Sequence, residues 1–548
     1  MFFIDTIEVA GLGNRSYLAG GARTAVAVDP PRDIDQVIAA AVRRGVRISH
    51  VVETHLHNDY ISGGLELARV TGARYLVPAA ARVAFERTAV TDGDAFAIDA
   101  DLAMRAVATP GHTPHHTSYV LEEGGTAVAA FTGGSLLIGA VGRPDLVEPR
   151  LTEQLARAQY ASVRRLAAEL PDATAVLPTH GFGSFCSSSQ AEGDTTTIGQ
   201  EKAANAALLK DVDSFVADLL AGLEDVPAYY AHMGPANAAG PAPVDLTPPA
   251  VADADGIADR LAAGEWVVDL RNPVAFSQGH VAGSFNFEAE GKIATYLAWL
   301  VPWGKPVTLL AESAEQLAAA QRELARVGID RPAAASTGGP VSWIRAGETQ
   351  ASFPRATFAD LAARRRGESI ADVEGIVVLD VRRDSERAEG FIDGSVHLPV
   401  HLLHQRIADV PDGTVWVHCA GGMRAAIAAS LLDAAGRDVV AVDDSFDAAG
   451  DTGLPLSAGA GSSPRARGQA PLTDHERKAM FPLRRGARRL TPERAHQRTA
   501  GHERAVLLDV REPHEWQAGH APAPYMRPCR SSPPGAGFPR RHGTGPWS

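Results

Sequence analysis

Short β-branched runs alternate with helix-spaced apolar residues along the first 235 or so positions of the chain. Residues 24–28, 48–52, 74–77, 102–108, 127–131 and 173–177 carry compact apolar runs that predict strands. Residues 34–44, 63–71 and 152–170 predict helices. In the last of these, Leu155, Tyr160, Val163, Leu166 and Leu170 fall near the spacing of one helix face. The alternation predicts an α/β domain over 1–235. A Pro-, Ala- and Gly-rich stretch then predicts a linker over 236–253.

Beyond it the pattern repeats. Trp266-Val-Val-Asp269-Leu-Arg271, Val377-Val-Leu-Asp380-Val-Arg382 and Val506-Leu-Leu-Asp509-Val-Arg511 are three apolar runs that each end in Asp-x-Arg. Each is followed, ten residues after its aspartate, by a glycine: Gly279, Gly390 and Gly519. Agreement at one spacing in three places predicts tandem copies of one α/β unit, over 254–350, 355–460 and 490–548, with a linker at 461–489. After Gly519-His520 the chain turns to Pro, Arg and Gly, and no strand or helix pattern is expected there. The third copy is therefore expected to be truncated or frame-shifted, with a disordered tail.

At 548 residues the chain is long enough for three or four domains, and its 45% apolar and 21% charged residues are those of an ordinary globular protein. A net charge of −13 gives no reason to expect nucleic acid or an anionic membrane as partner. That average hides an asymmetry, since 16 Lys/Arg outnumber 7 Asp/Glu from Gly461 onward. Three cysteines (Cys186, Cys419, Cys529) make no disulfide framework. The start Met1-Phe-Phe-Ile-Asp5 lacks a signal-peptide series, and no run approaches the roughly 20 apolar residues of a membrane span. A cytoplasmic location is expected, with a homo-oligomer left open.

The chemistry concentrates at strand ends. In Thr54-His55-Leu-His57-Asn-Asp59-Tyr60, alternate side chains His55, His57 and Asp59 can converge, and imidazole with carboxylate suits zinc or non-haem iron. Thr109-Pro-Gly-His112, Thr132-Gly-Gly134-Ser135 and Leu177-Pro-Thr-His180 each follow another expected strand. Cys186, close to His180, is more often a small core residue than a ligand or reactive thiol. This succession resembles the metallo-β-lactamase superfamily over essentially all of 1–235. The resemblance implies an αββα sandwich with metal between strand ends, held by His55, His57, Asp59, His112 and His180. Phe131 through Leu146, with Arg143-Pro-Asp145, is most similar to the persulfide dioxygenase branch. That likeness implies Fe(II), or else Zn, with His55 and His112 as ligands. It also implies O2 and a low-molecular-weight, glutathione-like thiol persulfide as substrates, with Arg143 on the thiol carrier's carboxylate. Two departures stand out. Gly134 replaces the branch's metal-binding aspartate, and Tyr60 stands where dinuclear zinc hydrolases carry histidine. Together they favour one metal over two.

In the second copy, Thr414-Val-Trp-Val-His-Cys419-Ala-Gly-Gly-Met-Arg424 runs from a strand through a glycine loop into a helix. Backbone N–H groups, the helix's positive end and Arg424 favour a thiolate or persulfide at Cys419. With Asp380-Val-Arg382 upstream, the loop resembles rhodanese sulfurtransferases, which implies Cys419, Arg424 and Asp380 as catalytic residues and sulfite or a thiol as acceptor. The first copy has Ala311 and Gln316 at the matching positions, so no persulfide forms there, and the domain is expected to serve packing or docking. The expected whole is an αββα metallo-β-lactamase sandwich followed by tandem α/β rhodanese-like domains, acting as a persulfide dioxygenase–sulfurtransferase fusion. The alternatives are a zinc thioester hydrolase of the hydroxyacylglutathione type and a metal-free persulfide carrier or sensor.

Overall fold

The computed structural model describes residues 2–188, 193–365 and 375–457, together with two short strands, Leu508–Asp509 and Tyr525–Met526. The chain divides into two compact units, 1–463 and 464–548.

Two six-stranded sheets open the first unit. One runs in chain order through β1 (Phe3–Val9), β2 (Asn14–Gly20), β3 (Thr24–Val28), β4 (Arg47–Val52), β5 (Arg74–Pro78) and β6 (Thr88–Val90). The other contains β7 (Ala95–Asp99), β8 (Leu102–Ala108), β9 (Thr117–Glu123), β10 (Thr126–Gly133), β11 (Ala175–Pro178) and β12 (Thr196–Thr197). Period-two alternation builds the core. On β3, Val26 and Val28 face the second sheet's Met104, Tyr119 and Phe131, while Ala25 and Ala27 meet the helices Asp35–Arg44 and Gly64–Thr71. On the outer face of the second sheet lie the helices Thr152–Glu169 and Val212–Ala221, through Val163, Leu166 and Phe215. This is the expected four-layer αββα sandwich. Each large apolar side chain taken from water contributes about 1.5–3 kcal/mol.

One boundary differs from expectation. Residues 236–239 do not belong to a linker, because a helix spans Tyr230–Ala239 despite Pro235. The helix is held there by Asn237, whose amide donates to the carbonyls of His57 and Tyr60 (2.8 Å each) and accepts from Ser62 N–H (2.9 Å). What read as spacer is a brace for the histidine motif.

The first repeat copy forms a parallel sheet in the order β14-β13-β15-β16, from β13 (Trp266–Asp269), β14 (Phe285–Asn286), β15 (Val307–Ala311) and β16 (Ala334–Thr337). The second copy has β17 (Arg355–Ala356), β18 (Ile376–Asp380), β19 (Phe391–Ile392), β20 (Val396–His397), β21 (Thr414–His418) and β22 (Val439–Val442). Its main sheet is β17-β22-β21-β18-β20, again parallel. One apolar cluster runs through both copies, from Trp266 and Leu300 to Leu379 and Ile427.

The recurring residues have a physical reason. The Arg271 guanidinium lies on Asp269 and donates to the Gly279 carbonyl (2.8 Å), and Arg382 does the same with Asp380 and the Gly390 carbonyl (2.7 Å). The aspartate, arginine and glycine ten residues on form one lock at the strand end. Register repeats as well: Asp269 pairs with Asn286, Asp380 with His397 and Asp509 with Met526. The expectation that no strand follows His520 is therefore corrected, because Tyr525–Met526 pairs in parallel with Leu508–Asp509. Arg511, Gly519, Cys529 and the 461–489 linker lie outside the described residues.

Candidate metal centre and sulfur site

The ends of β3, β4, β8, β10 and β11 deliver Asp29, His55, His57, Asp59, His112, Gly134 and His180 to one edge of the sandwich. Among them His55, His112 and His180 can offer one nitrogen each to a common ion, and all three are fully buried.

Their tautomers follow from the partners around them. The Thr54 hydroxyl spends its proton on Asp29 (2.7 Å), so it must accept from His55 Nδ1–H (2.8 Å). Asn14 donates its amide nitrogen to Asp59 (2.7 Å), which turns its oxygen to His180 and makes His180 Nδ1 the donor (3.0 Å). His112 Nδ1–H donates to the Arg143 carbonyl (2.8 Å). Three Nε2 lone pairs are left. Those of His55 and His180 lie 3.3 Å apart, and that of His112 is buried without a partner. Two nitrogens bound to one tetrahedral zinc lie about 3.3 Å apart. Facing lone pairs repel unless a cation lies between them, so the donor set fits a metal. Burial keeps the rings neutral, with His55 well below its ordinary value, His112 near 3 and His180 also lowered.

His57 has two faces: its Nδ1 is buried without a partner, in a group with Asp59 and His180 that could hold an ion, while its other nitrogen meets carboxylates. Its Nε2 lies 3.2 Å from Glu53 and 3.3 Å from Asp29. Burial opposes its charge, but the two carboxylates outweigh that and push it up to about 10. Asp29 accepts from Thr54 N–H and from the Thr54 and Thr179 hydroxyls, and it stays below the usual carboxylate range despite burial. His57 and Asp59 group with His180 in a second constellation, and Asp29, Glu53 and His57 make a third.

Gly134 explains the missing carboxylate sterically. A Cβ there would lie 2.2 Å from His112 Cδ2 and 2.7 Å from its Nε2. The imidazole fills the space that a side chain at 134 needs. Tyr60 does not replace the absent histidine, since its hydroxyl donates to the Asp29 carbonyl (3.1 Å).

The second site lies at the end of β21. Gly422 N–H donates to Cys419 Sγ (3.1 Å). Arg424, at the start of the helix Met423–Ala434, is held by Glu386 through bonds of 2.6 and 2.7 Å. Glu386 is drawn down to about 2: burial opposes the shift, but Arg424 outweighs it. Asp380 likewise sits near 2 against burial, through Arg382, and also accepts from Arg387 (3.2 Å).

Residues 13–180 match the Metallo-beta-lactamase superfamily, and residues 253–346 and 359–450 match the Rhodanese-like domain. The chain carries a metallo-beta-lactamase domain followed by two rhodanese-like domains. A hydroxyacylglutathione hydrolase of Rhizobium etli is 33% identical over 159 residues, which is 28% of this chain and 57% of the hydrolase. The chain thus spans little more than half the length of that relative. The mitochondrial persulfide dioxygenase ETHE1 of Homo sapiens is 28% identical over 205 residues, covering 37% of this chain and 74% of that protein. A crystal structure described as a metallo-beta-lactamase from Staphylococcus aureus subsp. aureus COL superposes with TM-score 0.56 at 25% identity. It covers 62% of this chain and 99% of that one, so the likeness runs well past the metallo-beta-lactamase match.

In the metallo-beta-lactamase domain, the structure closes the Arg143 fork on Asp145 (2.7 Å twice). Arg143 is 3% exposed, and the carboxylate it grips in this structure is that of Asp145. Cys186 is fully buried, its thiol pushed well up by burial, which is the core role. In the rhodanese-like pair, Asp380 has the same lock as Asp269 in the copy without a cysteine, its carboxylate engaged by Arg382. Sequence reasoning missed Asn14, Thr54, Asp29, Asn237 and Glu386. An Asn fourteen residues in, or a Glu six residues after an Asp-x-Arg aspartate, carries no local signal. Only the pairing of distant strands makes them partners.

Proposed function

We propose that the chain is a persulfide dioxygenase–sulfurtransferase, oxidising a low-molecular-weight thiol persulfide to sulfite at a single metal and moving sulfane sulfur through Cys419. The observation that carries this is the volume beside His112. Position 134 supplies no carboxylate to bridge two metals, and a side chain there would press on the His112 ring, while His55, His112 and His180 can share one ion. One ion with open positions suits oxygen activation better than two-metal hydrolysis.

His55, His112 and His180 would hold the ion. When bound, iron(II) would supply the redox centre at which O2 and the terminal sulfur meet. The chain's own part is positional: Thr54, Asn14 and the Arg143 carbonyl fix the three rings, and Asn237 braces the motif loop. Overall, the persulfide anion, O2 and water give a thiolate, sulfite and two protons. At the second site, the Cys419 thiolate takes the outer sulfur of a persulfide and releases the carrier thiolate. Sulfite then attacks that outer sulfur; the S–S bond breaks, its electron pair returns to Cys419, and thiosulfate leaves. Gly422 N–H donates to Cys419 Sγ, and Arg424, held by Glu386 at the start of the helix that follows, would add positive charge for the sulfur anion.

Anaerobic loading with iron(II), followed by O2 uptake with glutathione persulfide, tests the reading. Uptake at about one iron per chain supports it, and none at stoichiometric iron eliminates the dioxygenase half. The hydrolase relatives support a second reading, a zinc thioester hydrolase. About two zinc ions per chain with thioester turnover would establish it, against the steric argument at Gly134.

A further inference from the structure

Glu224 faces two ways. It lies just beyond the helix Val212–Ala221, in the metallo-beta-lactamase half of the chain. Its carbonyl accepts from Arg143 Nη2 (2.5 Å), and the Arg143 carbonyl in turn accepts from His112 Nδ1–H (2.8 Å). Its carboxylate reaches the other domain, accepting from Arg383 Nη1 and the Ser385 hydroxyl. Arg383 N–H donates to Glu386 (2.9 Å), and Glu386 holds Arg424 in the cysteine loop. The neighbouring Asp225 pairs with His401 (3.1 Å). One residue thus joins the support of a metal-site histidine to the support of the Cys419 loop through bonds that are all in place.

We propose that Glu224 is a positioning residue. It registers the sulfur-transfer loop on the metal domain so that sulfite formed at one site meets the Cys419 persulfide before it escapes. This rests on the dioxygenase–sulfurtransferase reading above. The step served is the sulfite attack already balanced, with no further reactant. Other contacts cross the same junction, including Lys292 Nζ on the Gly183 carbonyl (2.7 Å) and Phe185 on Trp299 (ring centroids 5.1 Å). Loss of Glu224 therefore loosens registration without separating the domains.

The test uses the full iron-loaded chain as wild type, Glu224→Ala and Glu224→Gln. Three quantities are read: O2 uptake with glutathione persulfide, sulfur transfer from thiosulfate to cyanide, and the thiosulfate yield from persulfide with an excess aldehyde present to trap free sulfite. Wild type is expected to keep making thiosulfate under the trap. Glu224→Ala should hold both half-reactions within roughly twofold while its trapped thiosulfate yield falls about tenfold, the loss of a high local concentration. Glu224→Gln, whose amide oxygen still accepts from Arg383 and Ser385, should fall between. A merely structural role would lower the half-reactions and leave trap sensitivity alone. Equal trap resistance in wild type and the alanine variant overturns the proposal, as does a wild type that loses its thiosulfate to the trap. If Glu224→Ala does not fold, a glutamine variant with wild-type trap resistance overturns it. A wild type that takes up no O2 brings down the parent reading instead, by a separate readout.

Discussion

The two rhodanese-like copies share a scaffold and differ in chemistry. Both keep a buried aspartate gripped by the arginine two residues on, with the same glycine carbonyl as third partner. They part at the loop after the central strand. In the second copy Cys419 sits under Gly422 N–H, and Glu386 aims Arg424. In the first, Ala311 takes the cysteine's place, and Gln316 folds back to accept from Glu312 N–H (2.8 Å), while Ser313 caps the helix Ala314–Arg326. The position matching Glu386, six residues after the aspartate, is Ala275. Fold and activity thus rest on separate residue sets, so one can be lost while the other is kept.

The widest separation is expected from the cysteine itself. Cys419→Ser should abolish thiosulfate-to-cyanide transfer, a loss on the order of a thousandfold or more, since no thiolate remains to carry sulfur. Ala311→Cys in that background should restore none of it, because its loop lacks the glycines and the arginine. Transfer regained through the introduced thiol would erase the contrast. Next come the locks. Asp380→Asn and Asp269→Asn each leave a buried guanidinium without its charge partner, so each should lower stability by about 3–5 kcal/mol in urea titrations, with only the former depressing transfer. Equal transfer losses would mean that the first copy takes part in chemistry. A smaller effect is pH-dependent. Folding holds Asp380 near 2 against an ordinary value of 3.8, so its stabilisation is present above about 4 and is lost as pH falls towards 2. That contribution is about 2 kcal/mol, read as a falling unfolding midpoint over that window and absent from Asp380→Asn. Smallest is Glu386→Gln, which keeps a hydrogen bond to Arg424 but not its charge. It should slow transfer about tenfold and, because Arg424 holds Glu386 near 2, also lower the unfolding midpoint at neutral pH.

Strand ends and the repeat were legible because they are local. His55, His112 and His180 each close an apolar run, and Asp-x-Arg with its later glycine recurs at a fixed spacing. The reason for that glycine was not legible, since its carbonyl meets the arginine only after the chain has turned. Nor was the ligand set. His57 and Asp59 group with His180 apart from the set of His55 and His112, and carboxylates from two strand ends, Asp29 and Glu53, hold the His57 Nε2, none of which the motif alone reveals. Arg143 read as a substrate residue because its motif is local, while the partners that occupy it, Asp145 and the Glu224 carbonyl, needed a folded neighbour to become visible. Strands such as Phe3–Val9 and Asn14–Gly20 carry no such local signal, because their mixed polar sequences gain their apolar neighbours only by pairing across the sheet.

The glycine against the His112 ring makes ancestry hard to retrace. Any larger residue at 134 meets the His112 ring, so a carboxylate there would come with a shift of that imidazole against the Arg143 carbonyl it now bonds. A return to a two-metal centre would need a carboxylate at 134, space for it beside His112 and a ligand where Tyr60 now bonds Asp29, so the present packing holds the site to its own chemistry.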